Sequence, residues 1–467
     1  MTCWKPTMPL AWSAAEMERI LADALSVLAQ VGVECAHEGA RQRLAGWSGA
    51  SIAGERVRFA PAPVRDHVER MRARHAPDPL APEPPFSLGN CWAGLTYCDP
   101  ETQAIRPAAE RDVIRMVRLW DARGLSGVVP VQPGDVPPAL VTLTAERIAL
   151  QHSRYLGGQL TVTDAEEVRY LIDMNLAAGR RYTLMEEVSI SPLRLNPHGL
   201  DIALQFLGNP DVEVLITGAI PMAGVTCPLD PRSAIVQAVA ERLVQSVLCE
   251  ALGTDSGPLT FRVEPFDFQY SAIVFGSPEW CLYHALCAQM SEFLSGRPAR
   301  TGRFRSTAKR PDSQAATERT ASALWQALLG ARHFGGVGQL SVDEVFSPQQ
   351  AVLDREILQY VERLFQGIDA HTPGIDPAAL IAEGVAAGSF VALEDTARRF
   401  RGMYAFPEIF RHWNLGRWRD EGEPEVLAEA WARAQAEIAS STFRLPEAQH
   451  REVDRVYQRA VRHVTRT

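Results

Sequence analysis

Glu264, Pro265, Phe266, Asp267, Phe268, Gln269 and Tyr270 follow one another, so carboxylates and aromatic rings alternate within one short segment. A methylated ammonium is held by such a set, because each ring face attracts the cation by about 0.5–2 kcal/mol and nearby carboxylates add to it. Asp267 and Glu264 are therefore candidate catalytic acids, and Phe266, Phe268 and Tyr270 are candidate walls of a binding site. The competing reading is a packed loop with solvated acids. Glu186 and Glu187 are a second acidic feature, set inside an apolar stretch where burying an acid is costly unless it is paired or functional. One of the two must face the interior; Glu187 is taken as that acid, with a structural ion pair to an Arg as the alternative. Cys227 and His284 are lone candidates for a zinc site, which needs clustered ligands, and packed core residues are the better account of both.

Such groups need elements to aim them. Ser13, Ala14, Ala15 and Glu16 read as a capping box, and Ile20, Leu21, Ala24, Leu25, Leu28 and Val31 form one helical stripe that Gly32 ends. A short strand over 56–59 and a Pro-rich run over 77–85 follow. From Asp112 onward, short β-branched runs alternate with amphipathic helices. Strands are expected at 128–132, 159–163, 183–189, 212–218, 259–264, 299–303 and 332–337, and helices at 164–178, 231–252, 278–293 and 312–329. That order predicts an α/β fold of the TIM (β/α)8 type, with one strand of the eight not readable. Residues 1–110 are read as a helical cap, 111–375 as the barrel, and 376–467, with Trp413, Trp418 and Trp431, as helices packed on it. In such a barrel reactive groups gather where the strands end, which singles out the loop after the fifth strand, residues 264–270.

The chain has 467 residues, 46% hydrophobic and 22% charged, enough for a sizeable core. Its formal charge of −9 argues against a nucleic-acid binder, which needs basic surface. Arg65 to Arg74 lie on a helical pattern and read as a solvated face. No apolar run reaches the roughly 20 residues that span a bilayer, and the first residues lack signal-peptide order, so a cytoplasmic protein without membrane contact is expected. The eight cysteines, Cys3, Cys35, Cys91, Cys98, Cys227, Cys249, Cys281 and Cys287, contain no Cys-x-x-Cys pair and are expected reduced and packed. Neither a dinucleotide-binding Gly-x-Gly-x-x-Gly nor a phosphate-binding loop is present.

Three ordered stretches carry a family resemblance: Gly276-Ser277-Pro278-Glu279, then Lys309-Arg310-Pro311-Asp312-Ser313-Gln314-Ala315-Ala316-Thr317-Glu318, then Val352-Leu353-Asp354-Arg355-Glu356. With the Ile20 to Val33 helix and its Leu-Ala-Gln-Val-Gly-Val ending, they resemble the trimethylamine and glycine-betaine methyltransferase family, in the branch without pyrrolysine. The resemblance implies methyl transfer from a tertiary or quaternary amine to cobalt, with no tightly bound cofactor and the corrinoid (cobalamin) carried by a partner protein. It implies a homo-oligomer as well. Arg303, Arg305 and Lys309 then become candidates for a betaine carboxylate, and Asp312, Gln314, Glu318 and His333 join them as substrate-binding candidates, although Asp312 also reads as a helix N-cap. Two positions depart from the family pattern: Gly335-Gly336-Val337-Gly338, where a His before a Gly is expected, and Glu394-Asp395-Thr396, where a His-Thr pair is expected. They keep open a second class, a non-catalytic barrel that binds a methylated amine as sensor or accessory subunit.

Overall fold

The N-terminal stripe forms the helix Ala14–Gln30 in the computed structural model, which describes residues 3–4, 11–78, 80–90, 92–158, 162–369 and 374–464. Ser13 Oγ accepts from the Glu16 N–H, and the Glu16 carboxylate accepts from the Ser13 N–H at 2.7 Å, so two orphan donors of the first turn are satisfied. Ile20, Leu21, Ala24, Leu25 and Leu28 are buried, and the helix packs on Pro231–Leu252. Each such Leu or Ile contributes about 1.5–3 kcal/mol by leaving water.

The architecture is mixed α/β. Tyr182–Ile190 and Val212–Gly218 pair in parallel, with Val212 opposite Tyr182, and the helix Pro197–Phe206 makes the crossover that parallel strands require. Tyr182, Leu184, Glu186 and Val188 are buried on one face of the first strand. A second parallel ladder runs Thr301–Arg303, His333–Gly335, Ser87–Asn90 and Ser126–Gly127, and a single bridge, Gly127 to Leu156, extends it. The helices Pro278–Ser295, Ser313–Leu328 and Pro348–Gln366 separate or follow its later strands. Ser87–Asn90 thus brings the segment read as a cap into the parallel sheet. An antiparallel group, Val33–Cys35, Ala50–Ala53 and Arg56–Phe59, joins the first ladder through Arg194–Leu195.

Several expectations hold closely. Pro231–Leu252 and Arg56–Phe59 have the bounds read from sequence, and Asp164 and Asp312 cap Ala165–Ala177 and Ser313–Leu328. Others need correction. In place of a strand at 128–132, the ladder stops at Gly127 and only Val131 bridges, to Gly94; Pro130 has no N–H to offer a ladder. In place of a strand at 259–264, only Glu264 bridges, to Met222. Within that stretch the Thr260 carbonyl is taken by the Arg242 guanidinium, which also holds the Ser256 and Pro258 carbonyls just before it. Of the strand expected at 159–163, residues 159–161 lie outside the described residues.

The C-terminal region is helical. Val426–Ser440 packs on Pro348–Gln366 and Glu110–Arg123, and Glu447–Val464 packs on Ala165–Ala177. Trp431 is buried there, under the guanidinium of Arg115. Cys35, Cys98, Cys227, Cys249, Cys281 and Cys287 are free and buried. Among the described residues no helix is long and apolar enough to cross a membrane, and no group of three or more His, Cys, Asp or Glu side chains could hold a metal ion.

Candidate functional site

The strands Tyr182–Ile190 and Val212–Gly218 end side by side, with Gly218 opposite Ser189. A Cβ on Gly218 would lie 2.1 Å from Ser189 Oγ, so glycine allows this close approach. Next to these strand ends is a cavity of about 370 Å³, bounded also by the helices Pro231–Leu252 and Pro278–Ser295, residues 258–262 and the strand Thr301–Arg303. Ser189, Glu241, Arg262, His284 and Arg303 are among its walls. The ends of parallel strands are where α/β folds place ligands, because backbone and loops there are free to face outward.

Glu241 accepts from Ser191 Oγ at 2.5 Å, from the Leu193 N–H at 2.9 Å and from Gln237 at 2.9 Å. Burial pushes its carboxyl upward in spite of these bonds. His284 faces the cavity partly exposed, and burial, followed by Arg262 and Arg303, pushes its imidazole down to about 3, so the ring is neutral. Trp280 stacks on it, with centroids 5.2 Å apart and planes at 11°. One turn separates the two residues on Pro278–Ser295, which puts them on the same helix face.

Glu264 is 3% exposed and one carboxylate oxygen accepts from Trp280 Nε1 at 2.6 Å; the other has no hydrogen-bond partner among the described residues. Glu264 therefore reaches the cavity through Trp280 and His284. Asp267 acts differently: its carboxylate accepts from the N–H groups of Gln269 and Tyr270 and holds the turn between Phe266–Asp267 and Ala272–Ile273. Phe266 meets Phe268 edge-on at 5.3 Å, while Phe268 and Tyr270 are 57% and 74% exposed. The three aromatic residues do not close around one space. The acid buried in the third expected strand is Glu186; Glu187 is exposed, on the opposite face. Burial, with Glu187 adding to it, raises the Glu186 carboxyl to about 7.

The ordered motifs act largely as clamps. Gly276 takes φ +72° where a Cβ would lie 2.5 Å from the Arg305 carbonyl, and Ser277 Oγ caps the helix that carries Trp280 and His284. Glu318 accepts from Ser306 Oγ, the Thr307 N–H and Thr307 Oγ1, and Gln314 donates to Glu318 at 2.7 Å. Lys309 is exposed and donates to the Thr307 carbonyl, and Asp312 accepts from the Ala315 N–H. Arg305 is buried in an ion pair with Asp343 and lies over the Phe275 ring at 4.2 Å, so a partner already occupies it. His333 shares a hydrogen bond with Ser87 Oγ at 3.0 Å, and burial lowers its imidazole. Asp354 pairs with Arg319 at 2.8 Å, both fully buried, and accepts from the Gly338 N–H, which fixes the glycine-rich loop. Of the predicted site residues, Arg303 lines the cavity and Glu264 reaches its wall only through Trp280, which stacks on His284. Glu241, Arg262 and Trp280 were not predicted, and His284 was weighed only as a metal ligand; the Trp280 to His284 spacing was the available signal.

Compared with known proteins, residues 5–460 match the family described as trimethylamine methyltransferase (MTTB). The chain is similar to the trimethylamine methyltransferase MttB of Methanosarcina thermophila, 30% identical over 246 residues, which are 51% of this chain and 49% of that protein. It is similar also to MttB2 of Methanosarcina mazei, 29% identical over 253 residues, 52% of this chain and 49% of the relative. These alignments thus span about half the length of the curated relatives.

Proposed function

Because the chain belongs to the trimethylamine methyltransferase family, we propose that it takes a methyl group from a betaine-like quaternary amine and passes it to the cobalt of a corrinoid carried by a separate protein. The observation that carries this reading is the cavity at the strand ends, whose walls hold both a carboxylate, Glu241, and three guanidiniums, Arg242, Arg262 and Arg303. A zwitterion with an ammonium at one end and a carboxylate at the other fits such a wall. Its volume of about 370 Å³ suits a small molecule. An ammonium beside Glu241 offsets the desolvation that raises its carboxyl, and a carboxylate beside Arg303 gains a charge-assisted bond.

The reduced cobalt would supply the nucleophile, so this chain's residues have to bind, orient and exclude water. His284, neutral and fixed by Trp280 and Glu264, offers a ring face without repelling an ammonium. In the same reading, the two parallel ladders are arcs of one (β/α)8 barrel, with residues 258–264 between them held by Arg242 rather than by a ladder. A homo-oligomer is part of this proposal: Glu394–Met403 buries no residue, and Val391, Tyr404 and Phe406 are exposed.

The test is incubation of the protein and glycine betaine with free cob(I)alamin, followed by the absorbance change from cob(I)alamin to methylcobalamin. Methylcobalamin and dimethylglycine should appear together in equal amounts. Betaine binding without either product would favour the sensor reading instead.

A further inference from the structure

Residues 441–446, which lead into the last helix, lie across the final turns of Glu110–Arg123 and Val141–His152. Ser441 Oγ donates to Asp121 at 3.3 Å, and the Arg154 guanidinium lies over the Phe443 ring at 5.4 Å. Arg118 is one turn before Asp121 and faces the same way, and His152 is the last residue of the neighbouring helix. Both side chains are half-buried. Neither has a hydrogen bond or ion pair among the described residues, and Arg118 Nε and His152 Nδ1 are shut off from solvent. Arg444 brings a second guanidinium, steadied by one bond from Nη1 to the Phe443 carbonyl at 2.6 Å.

Like charges therefore converge where the folded chain supplies no anion. Arg444 adds to the desolvation that lowers Arg118; burial, then Arg118, Arg444, His450 and Arg147, push the His152 imidazole down to about 4. The acids nearby are already engaged: Asp121 with the Arg154 N–H and Ser441, Asp454 with Gln151 and His450, and Glu110 with Arg147. Past the helix end, the carbonyls of Ser153 and Leu156, which would repel an anion, are taken by Arg180.

We propose that Arg118, His152 and Arg444 bind a small oxyanion of the phosphate or sulfate class, and that this anion pins residues 441–446 and the last helix to Glu110–Arg123 and Val141–His152. The two guanidiniums offer planar, charge-assisted donors, and a neutral imidazole adds one N–H through Nε2, the nitrogen that is not enclosed. None of the three residues lines the cavity, so the site is separate from that of the amine.

The experiment follows melting temperature and 15N spectra of labelled histidine as sodium phosphate or sodium sulfate is added, with sodium chloride at equal ionic strength as the control. Wild type, Arg118→Gln and Arg444→Gln are compared, and His152→Gln assigns the His152 signals. Phosphate at about 10 mM should raise the wild-type melting temperature by a few degrees over chloride and move the His152 titration upward, because an anion favours the protonated ring. Each arginine variant should lose at least about 10-fold in phosphate affinity. In chloride, Arg118→Gln should melt no lower than wild type, since the side chain has no bond to lose and its charge repels Arg444 and His152. In phosphate that order should reverse. Glycerol 3-phosphate separates the two sources of the same chemistry: tighter binding than phosphate supports an anion carried on a larger molecule, and exclusion supports a free ion. Equal melting in phosphate and chloride with unmoved His152 signals would overturn the site. So would phosphate effects that persist in both arginine variants, which place the ion elsewhere, or an Arg118→Gln that melts lower than wild type by the same amount in both salts, which marks a structural role only.

Discussion

Glu186 and Glu187 are neighbours in one strand with opposite fates, because alternate side chains of a strand face opposite sides. The folded chain holds the Glu186 proton up to about pH 7, whereas an unperturbed Glu ionises at 4.5. Between these values the folded state binds more protons than the unfolded state, so Glu186 contributes stability below 4.5 that is lost as pH rises to about 7. Thermal melts of Glu186→Gln should therefore lack part of the decline in melting temperature that the wild type shows across that window. An unchanged decline would mean that Glu186 ionises normally. The sequence identified the acidic pair and the expense of burying it, but not which member bears it: both sit in the same apolar surroundings, and only the strand's placement against the helices decides. Trp280 and His284 were hidden for a related reason. Their value lies in stacking on each other and in contact with Glu264, and neither relation follows from residue type.

Elements were legible where their own side chains set their fate. Pro231–Leu252 has an N-terminal Asp cap, Pro231 at its first position and Gly253 at its end in the left-handed region, and its bounds follow from these three. Tyr182–Ile190 and Val212–Gly218 show the alternation that a half-buried strand requires. Residues 259–264 carry the same pattern without the ladder; the Arg242 guanidinium, from a distant helix, takes the Thr260 carbonyl and that of Pro258 just before the segment. Arg242 is buried at the cavity wall, and desolvation lowers it to about 10. Arg242→Met should leave these carbonyls unsatisfied at about 1–3 kcal/mol each, partly recovered by water. Hydrogen exchange should then show faster opening of 255–262 than of Tyr182–Ile190, together with a lower melting temperature. Equal protection of 255–262 in variant and wild type would show that other contacts hold the segment.

At the scale of the molecule, the cavity is assembled from residues 189 to 303, on three strands, two helices and an irregular segment, so no single motif could reveal it. The family motifs were legible because they are local, and they turn out to fix helix starts and loops around the cavity rather than to line it. The core runs through the boundary drawn near residue 110: Ala14–Gln30 and Pro231–Leu252 share one apolar cluster, and Ser87–Asn90 pairs inside the parallel ladder. The departures at Gly335–Gly338 and Glu394–Thr396 fall outside the cavity lining, the first in a loop clamped by Asp354, the second at the start of an exposed helix where Asp395 pairs with Arg399. The central claim is that this composite cavity holds a methylated amine bearing a carboxylate. Calorimetric titration with glycine betaine, proline betaine, carnitine and trimethylamine, on wild type, Arg303→Gln and Asp267→Ala, tests it most directly. The account predicts that a carboxylate-bearing amine binds more tightly than trimethylamine, that Arg303→Gln weakens it about 10- to 100-fold, and that Asp267→Ala leaves it nearly unchanged. No binding by the wild type, or equal binding in Arg303→Gln, would contradict it.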